Sequence, residues 1–270
     1  MAHTQLLNIA RSPFTWAPPI LYSPCAPQGE STPWFRCDLV GGSLAEHGGH
    51  MPSGAGIAFS KNVRDVQRLL QIHADVGGDA QGRRFGLEVL NKSAIVLITA
   101  IWEAFCEDLV AEALEHLIVH VASGDRLPKE LKKRVAKELK SDKNDLAIWD
   151  LADQGWKRVA RARLATLTAE RNTRLNTPKT AQIDRLFVEA VGLASLSSAW
   201  RWRRTSAAQA KTKLDKFVAL RGAIAHRGAA MGSIKKRHVT AYLTHVKRLV
   251  AATEAKVNVY VTAETGTAMW

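Results

Sequence analysis

The run Leu220-Arg221-Gly222-Ala223-Ile224-Ala225-His226-Arg227-Gly228 stands late in a chain that offers few other chemically suggestive side chains. Its spacing predicts a helix over about 206–231, turning about 100° per residue. With Arg221 set at 0°, Phe217, Leu220, Ile224 and Met231 fall between about 260° and 320°, an apolar stripe expected to face the core. His226 falls near 140°, away from that stripe. Val218, Gly222, Ala225 and Ala229 fill the sector between Arg221 and His226. Side chains this small let a second helix bring its backbone close. They are therefore the expected interface of a homodimer in which two Arg/His pairs converge.

A guanidinium beside an imidazole is a sufficient toolkit for cutting RNA, because the 2′-OH of the substrate supplies the nucleophile. His226 would serve as general base or acid near neutral pH. Arg221 would clamp the phosphate bidentately and stabilise charge in the transition state. The chemistry calls for no metal and no cofactor. The competing reading is a helix-surface Arg and His with no task, and the spacing alone does not separate the two.

Outward from this run, apolar residues recur at helical spacing through most of the chain. Phe59, Val63, Val66, Leu69, Leu70 and His73 mark a first helix, with Ser60 as its expected N-cap and Gly77-Gly78 as its end. Leu90, Ala94, Leu97, Ile98, Ile101, Phe105 and Leu109 hold one phase through a long helix over about 85–122, the expected centre of the core. Leu127-Pro128 opens a short helix to Lys140. Thr177-Pro178 opens another that carries Ile183, Leu186, Phe187 and Val191 inward and closes at Gly192. After a turn at Gly232-Ser233, Val239, Tyr242, Leu243, Val246, Leu249 and Val250 give the last helix an inward face to about Tyr260. No alternating strand pattern occurs, so the fold class is all-α.

The termini read differently. Residues 1–57 hold seven of the nine prolines and no periodic face, the composition of a disordered tail or a non-native extension with the natural start at Met51. Residues 58–261 form the expected helical domain, and 262–270 an unstructured C-terminus. Cys25, Cys37 and Cys106 form no metal or redox spacing, which fits a reducing, cytoplasmic setting. No uncharged apolar run is long enough to cross a membrane, and no signal-peptide pattern opens the chain. His116 and His120 stand at i, i+4 but lack the Glu and third ligand of a zinc helix. They are expected to be paired surface histidines, and the expected metal sites are none.

A formal charge of +13 favours a polyanion partner. Lys157, Arg158 and Arg161, then Arg201, Arg203 and Arg204, and Arg227 beside the motif, are the residues expected to track RNA phosphates. Trp149, Trp156, Trp200 and Trp202 interleave with them, each either a stacking platform for a base or an anchor against the core.

The surroundings of the motif add a resemblance. Asn176-Thr177-Pro178-Lys179, Ile183-Asp184-Arg185-Leu186-Phe187, Val191-Gly192-Leu193, Trp200-Arg201-Trp202 and Leu214-Asp215, with the earlier Ala94-Ile95-Val96-Leu97-Ile98 and Trp102-Glu103-Ala104-Phe105, resemble the RiboL-PSP type of HEPN domain. The resemblance runs from about Phe59 to Val261. It implies an up-and-down helical bundle with additional helices. It also implies a metal-independent endoribonuclease working at a composite dimer site, leaving 2′,3′-cyclic phosphate and 5′-OH ends, in a toxin or phage-defence effector with an antitoxin or defence-system partner. Arg221 and His226 carry over directly. Glu103 becomes a possible supporting acid that orients either of them, against the alternative of a carboxylate on a solvated face. Gly222 departs from the polar residue, often Asn, common after the family's arginine, and Gly228 replaces a Tyr found in some HEPN toxins. A non-catalytic HEPN-like module that binds RNA or a nucleotide is the alternative function. A basic DNA-binding regulator is a third, although no helix-turn-helix with a polar recognition helix stands out.

Overall fold

The most apolar helix of the sequence is the one against which five others pack. In the computed structural model, which describes residues 52–77, 86–169, 177–227 and 233–270, seven α-helices are found among the described residues: α1 (Gly54–Gly77), α2 (Glu88–His120), α3 (Lys129–Lys140), α4 (Gly155–Ala169), α5 (Thr180–Val191), α6 (Ala207–Arg227) and α7 (Lys236–Thr265). The fold is all-α, and the only strand-like pairing among these residues is an isolated bridge between Trp202 and Thr205.

Helix α2 buries residues on nearly every side, from Ala94 and Ile95 through Trp102, Phe105 and Leu109 to Leu117 and Ile118. Such all-round burial requires partners on all faces, and α1, α4, α5, α6 and α7 supply them. Contacts of α1 run Gly54 to Glu112 and Phe59 to Phe105, so α1 is antiparallel to α2. Those of α7 run Ile234 to Asn91 and Tyr242 to Thr99, so α7 is parallel to it.

The aromatic centre lies where these helices meet. Trp102 and Trp200 are fully buried, edge to face at 5.9 Å. Each indole N–H finds an acceptor, Trp102 the Pro178 carbonyl at 3.3 Å and Trp200 the Thr253 hydroxyl at 2.9 Å. Burial of an indole without such a partner would forfeit a hydrogen bond made in water.

Several sequence expectations are corrected at the element ends. Helix α1 begins at Gly54 rather than near Phe59, and Ser60 lies exposed inside it. The capping serine is Ser53, whose Oγ accepts the Gly56 N–H at 2.8 Å while its own N–H and O–H go to Glu254 of α7. Residues 52–57 are thus part of the domain, and the rest of the expected tail lies outside the described residues. Pro178 precedes α5 by two residues instead of occupying its first turn, and its carbonyl accepts the Trp102 indole N–H. Gly192 closes α5 as expected, in the left-handed region at φ 79°. A side chain there would also strike Pro128. The expected unstructured C-terminus is folded: α7 continues to Thr265, Gly266 turns the chain at φ 75°, and the Met269 N–H reaches Asn258 Oδ1 at 2.9 Å. Met269 and Trp270 then pack on the core.

Candidate active site

Helix α6 carries the motif, and the predicted stripe packs on the core, but the most deeply buried row lies beside it. Ala210, Leu214 and Val218 are buried, whereas Phe217, Leu220 and Ile224 are half-buried at its edge. The buried row recurs at i, i+4 and i+8, and the next helical position along it falls on Arg221 and Gly222. Arg221 therefore extends the core-facing row instead of standing clear of it. The apolar stripe chosen from the sequence lies to one side of the most buried row, and its Phe217 stacks on the fully buried Tyr242 of α7, with ring centroids 4.2 Å apart.

Turned this way, the Arg221 guanidinium lies within electrostatic reach of groups on two other helices. Burial holds the Glu103 carboxyl of α2 above its ordinary range, and the Arg221 charge opposes that rise. Burial likewise raises the Tyr242 phenol, partly offset by the Thr99 hydrogen bond and by Arg221. The Thr99 hydroxyl donates to the Ile95 carbonyl at 3.0 Å, so its remaining role toward Tyr242, also at 3.0 Å, is to accept. Arg221 Nε is buried and has no hydrogen-bond partner among the described residues. A buried guanidinium N–H left unpaired is costly, and phosphate is the ligand such a fork suits best.

His226 lies exposed near the end of α6, five residues after Arg221 and about 140° around the helix from it. Glu103 is half-buried rather than solvated and lies within electrostatic reach of Arg221. Of the expected interface strip, Val218 is corrected: it is 3% exposed and belongs to the chain's own core, so it cannot meet a second copy. Gly222 has open space where a side chain would stand, and Ala225 is exposed. The Arg227 side chain and Ala229 lie outside the described residues, as do Gly228 and Met231.

The expected RNA-binding residues divide into two groups. On α4, Lys157 lies over the Trp156 ring at 5.4 Å, Arg158 pairs with Asp150 at 2.6 Å, and Arg161 pairs with Glu115 at 3.3 Å. Arg201, Arg203 and Arg204 are exposed on the segment leading into α6. Trp156 and Trp200 are buried anchors, Trp202 is half-buried, and Trp149 stands 73% exposed. His116 and His120 stack at 4.1 Å, and His116 Nε2 meets the Thr267 carbonyl, a contact with the folded C-terminus.

Sequence reasoning missed Tyr242 and His245 as neighbours of the motif helix. Tyr242 lies on the predicted inward face of α7 and His245 just outside it, and only the packing of α6 against α7 places Tyr242 near Arg221. His245 is buried, lies 3.1 Å from the Ala210 carbonyl of α6 through Nε2, and is pushed down to about 4 by burial and by Lys213 and Arg248.

A family model described as RiboL-PSP-HEPN matches residues 59–258, a span that includes α2, the aromatic centre and the whole of α6. No curated protein and no solved structure matches the chain.

Proposed function

From the chain's membership of the RiboL-PSP-HEPN family, we propose that it is a metal-independent endoribonuclease whose site forms between two copies of α6. The observation that carries this reading is the split presentation of the motif: Arg221 turned inward beside Glu103, with a buried unpaired N–H, and His226 exposed on the same helix. Two groups about 140° apart on one helix do not converge on one phosphate. Two antiparallel copies meeting at Gly222 and Ala225 bring the Arg of each toward the His of the other.

In that arrangement the 2′-OH attacks the adjacent phosphorus as His226 of one chain takes its proton, and the bond to the 5′ oxygen breaks with return of a proton. The ends are a 2′,3′-cyclic phosphate and a 5′-OH. Arg221 holds the non-bridging oxygens and stabilises the charge that builds on them. Glu103 fixes the guanidinium as a positioning residue. The proposed setting is a cytoplasmic toxin or phage-defence effector held by an antitoxin or defence-system partner. No described helix is long and apolar enough to cross a membrane.

A second reading follows from Gly222. With no side chain beside Arg221 and open space in its place, the site would bind RNA or a nucleotide without cutting. Incubation with RNA in EDTA separates the two, since cyclic-phosphate ends require the first and retention of intact RNA the second. His226→Ala is expected to abolish cleavage while RNA still binds, and Arg221→Ala to reduce both. Partial recovery on mixing the two variants demands a site shared across the dimer. Full activity from the double variant overturns the mechanism.

A further inference from the structure

Two turns before Arg221, the surface beside α6 becomes strongly basic. Trp202 and Thr205 close a tight turn with hydrogen bonds in both directions, the Trp202 N–H to the Thr205 carbonyl at 3.1 Å and the Thr205 N–H to the Trp202 carbonyl at 2.9 Å. Arg203 and Arg204 form its tip, both exposed. Arg204 has φ 61°, the left-handed region where a turn ordinarily places Gly or Asn. An arginine there carries a steric cost that glycine would remove.

The turn is fixed to the motif helix through its own base. The Trp202 ring meets His245 edge to face at 5.5 Å, and His245 bonds to Ala210 of α6. Arg248 lies over the Trp202 ring at 5.8 Å. Lys213 of α6 faces the same histidine, since its charge and that of Arg248 both act on the imidazole. Arg201, Lys213 and Arg248 are exposed like the two turn arginines, and none of the five forms an ion pair with a described carboxylate. Asp215, an acid on α6 close by, is instead bound to the Thr180 N–H and hydroxyl.

Five cations gathered from this turn and two helices, with no described carboxylate to pair them, raise the local positive potential and favour an anion of matching charge density. Lys213 precedes Arg221 by roughly 12 Å along the helix. That is the rise of about three to four nucleotides of a strand stacked as in a duplex, and of fewer if the strand is extended. We infer that the Trp202–Thr205 turn, with Arg201, Lys213 and Arg248, is a phosphate-binding platform that grips single-stranded RNA several nucleotides from the scissile bond at Arg221. The inference rests on the ribonuclease reading for the position of that bond, and it adds the length of RNA needed for tight binding.

The test compares the full chain with its Arg203→Ala/Arg204→Gly variant, both carrying His226→Ala so that RNA stays intact. Affinity is measured by fluorescence anisotropy against single-stranded RNA of about twelve nucleotides, a dinucleotide and a DNA duplex, over a range of salt. The expected result is a loss of about tenfold or more for the long RNA, a fall of about 1.4 in the slope of log affinity against log salt, and a smaller loss for the dinucleotide. The melting temperature should hold or rise, because Gly relieves the strained φ. Unchanged affinity and slope for the long RNA overturn the platform. So does a loss confined to duplex DNA, or an equal loss for the dinucleotide, which would put these arginines at the scissile phosphate. Absence of RNA cleavage by the parent chain is a separate result that sinks the ribonuclease reading and leaves the binding comparison standing.

Discussion

Arg221 is a charged side chain on the inward side of its helix, and its environment explains how it can remain there. The Glu103 carboxyl, itself raised by burial, is drawn back toward ionisation by the guanidinium, so each group makes the charge of the other tolerable. Glu103→Gln removes the negative charge and keeps the shape. We expect a fall in kcat of about tenfold, from a less well held Arg221, with a change in stability under about 1 kcal/mol because both groups are only half-buried. An unchanged kcat in steady-state assays would return Glu103 to a bystander. His245 gives a pH dependence of known sign. Its folded value of about 4 lies below the ordinary 6.5, so the unfolded chain binds the extra proton and stability is complete only above about pH 6.5. As pH falls from 6.5 toward 4, about 3 kcal/mol is lost from this group. Thermal melts of His245→Gln, which keeps a donor for the Ala210 carbonyl, should show a shallower loss over that window than the parent chain.

At the scale of the element, α6 changes character along its length. Its first half is held by Ala210, Leu214 and Val218 in the core, while in its last turns Ala225 and His226 are exposed and the half-buried Gly222 has open space beside it. Gly222 lies inside a helix with open space around it, so Gly222→Ala should stabilise the free monomer by about 0.5–1 kcal/mol through backbone entropy. Chemical denaturation checks that figure. Ala225→Trp should leave helix content intact and split the proposed dimer, as read by light scattering. Val218→Trp, from the same expected strip, should instead unfold the chain, because overpacking a filled core is not relieved by separating two copies.

At the scale of the whole molecule, the start of α1 fastens three helices together. Ser53 is bound to Glu254 of α7, and Glu112 of α2 takes hydrogen bonds from the Gly54 and Ala55 N–H groups. A carboxylate at a helix N-terminus satisfies donors that otherwise face no partner and complements the helix dipole. A chain beginning at residue 58 should therefore melt several degrees below one beginning at Met51, a loss of about 1–2 kcal/mol for the missing caps. Equal melting temperatures would show that these contacts contribute little.

Much of this architecture was legible in the residues. The 3.6-residue recurrence from Ala94 to Leu109 marked α2 as the central helix, Gly192 marked a helix end, and the spacing of Arg221 and His226 with the segments around them pointed to the family that residues 59–258 match. Periodicity is a local property, written along the chain wherever one face of a helix is buried. What it does not contain is the rotation of one helix against its neighbours. Phe217, Leu220 and Ile224 form as good a stripe as Ala210, Leu214 and Val218, and the choice between them is made by how α2, α5 and α7, from distant parts of the chain, pack around α6. The inward turn of Arg221, the burial of Val218 and the position of His245 beneath Trp202 were decided by tertiary packing, because each depends on side chains that share no sequence neighbourhood with the motif.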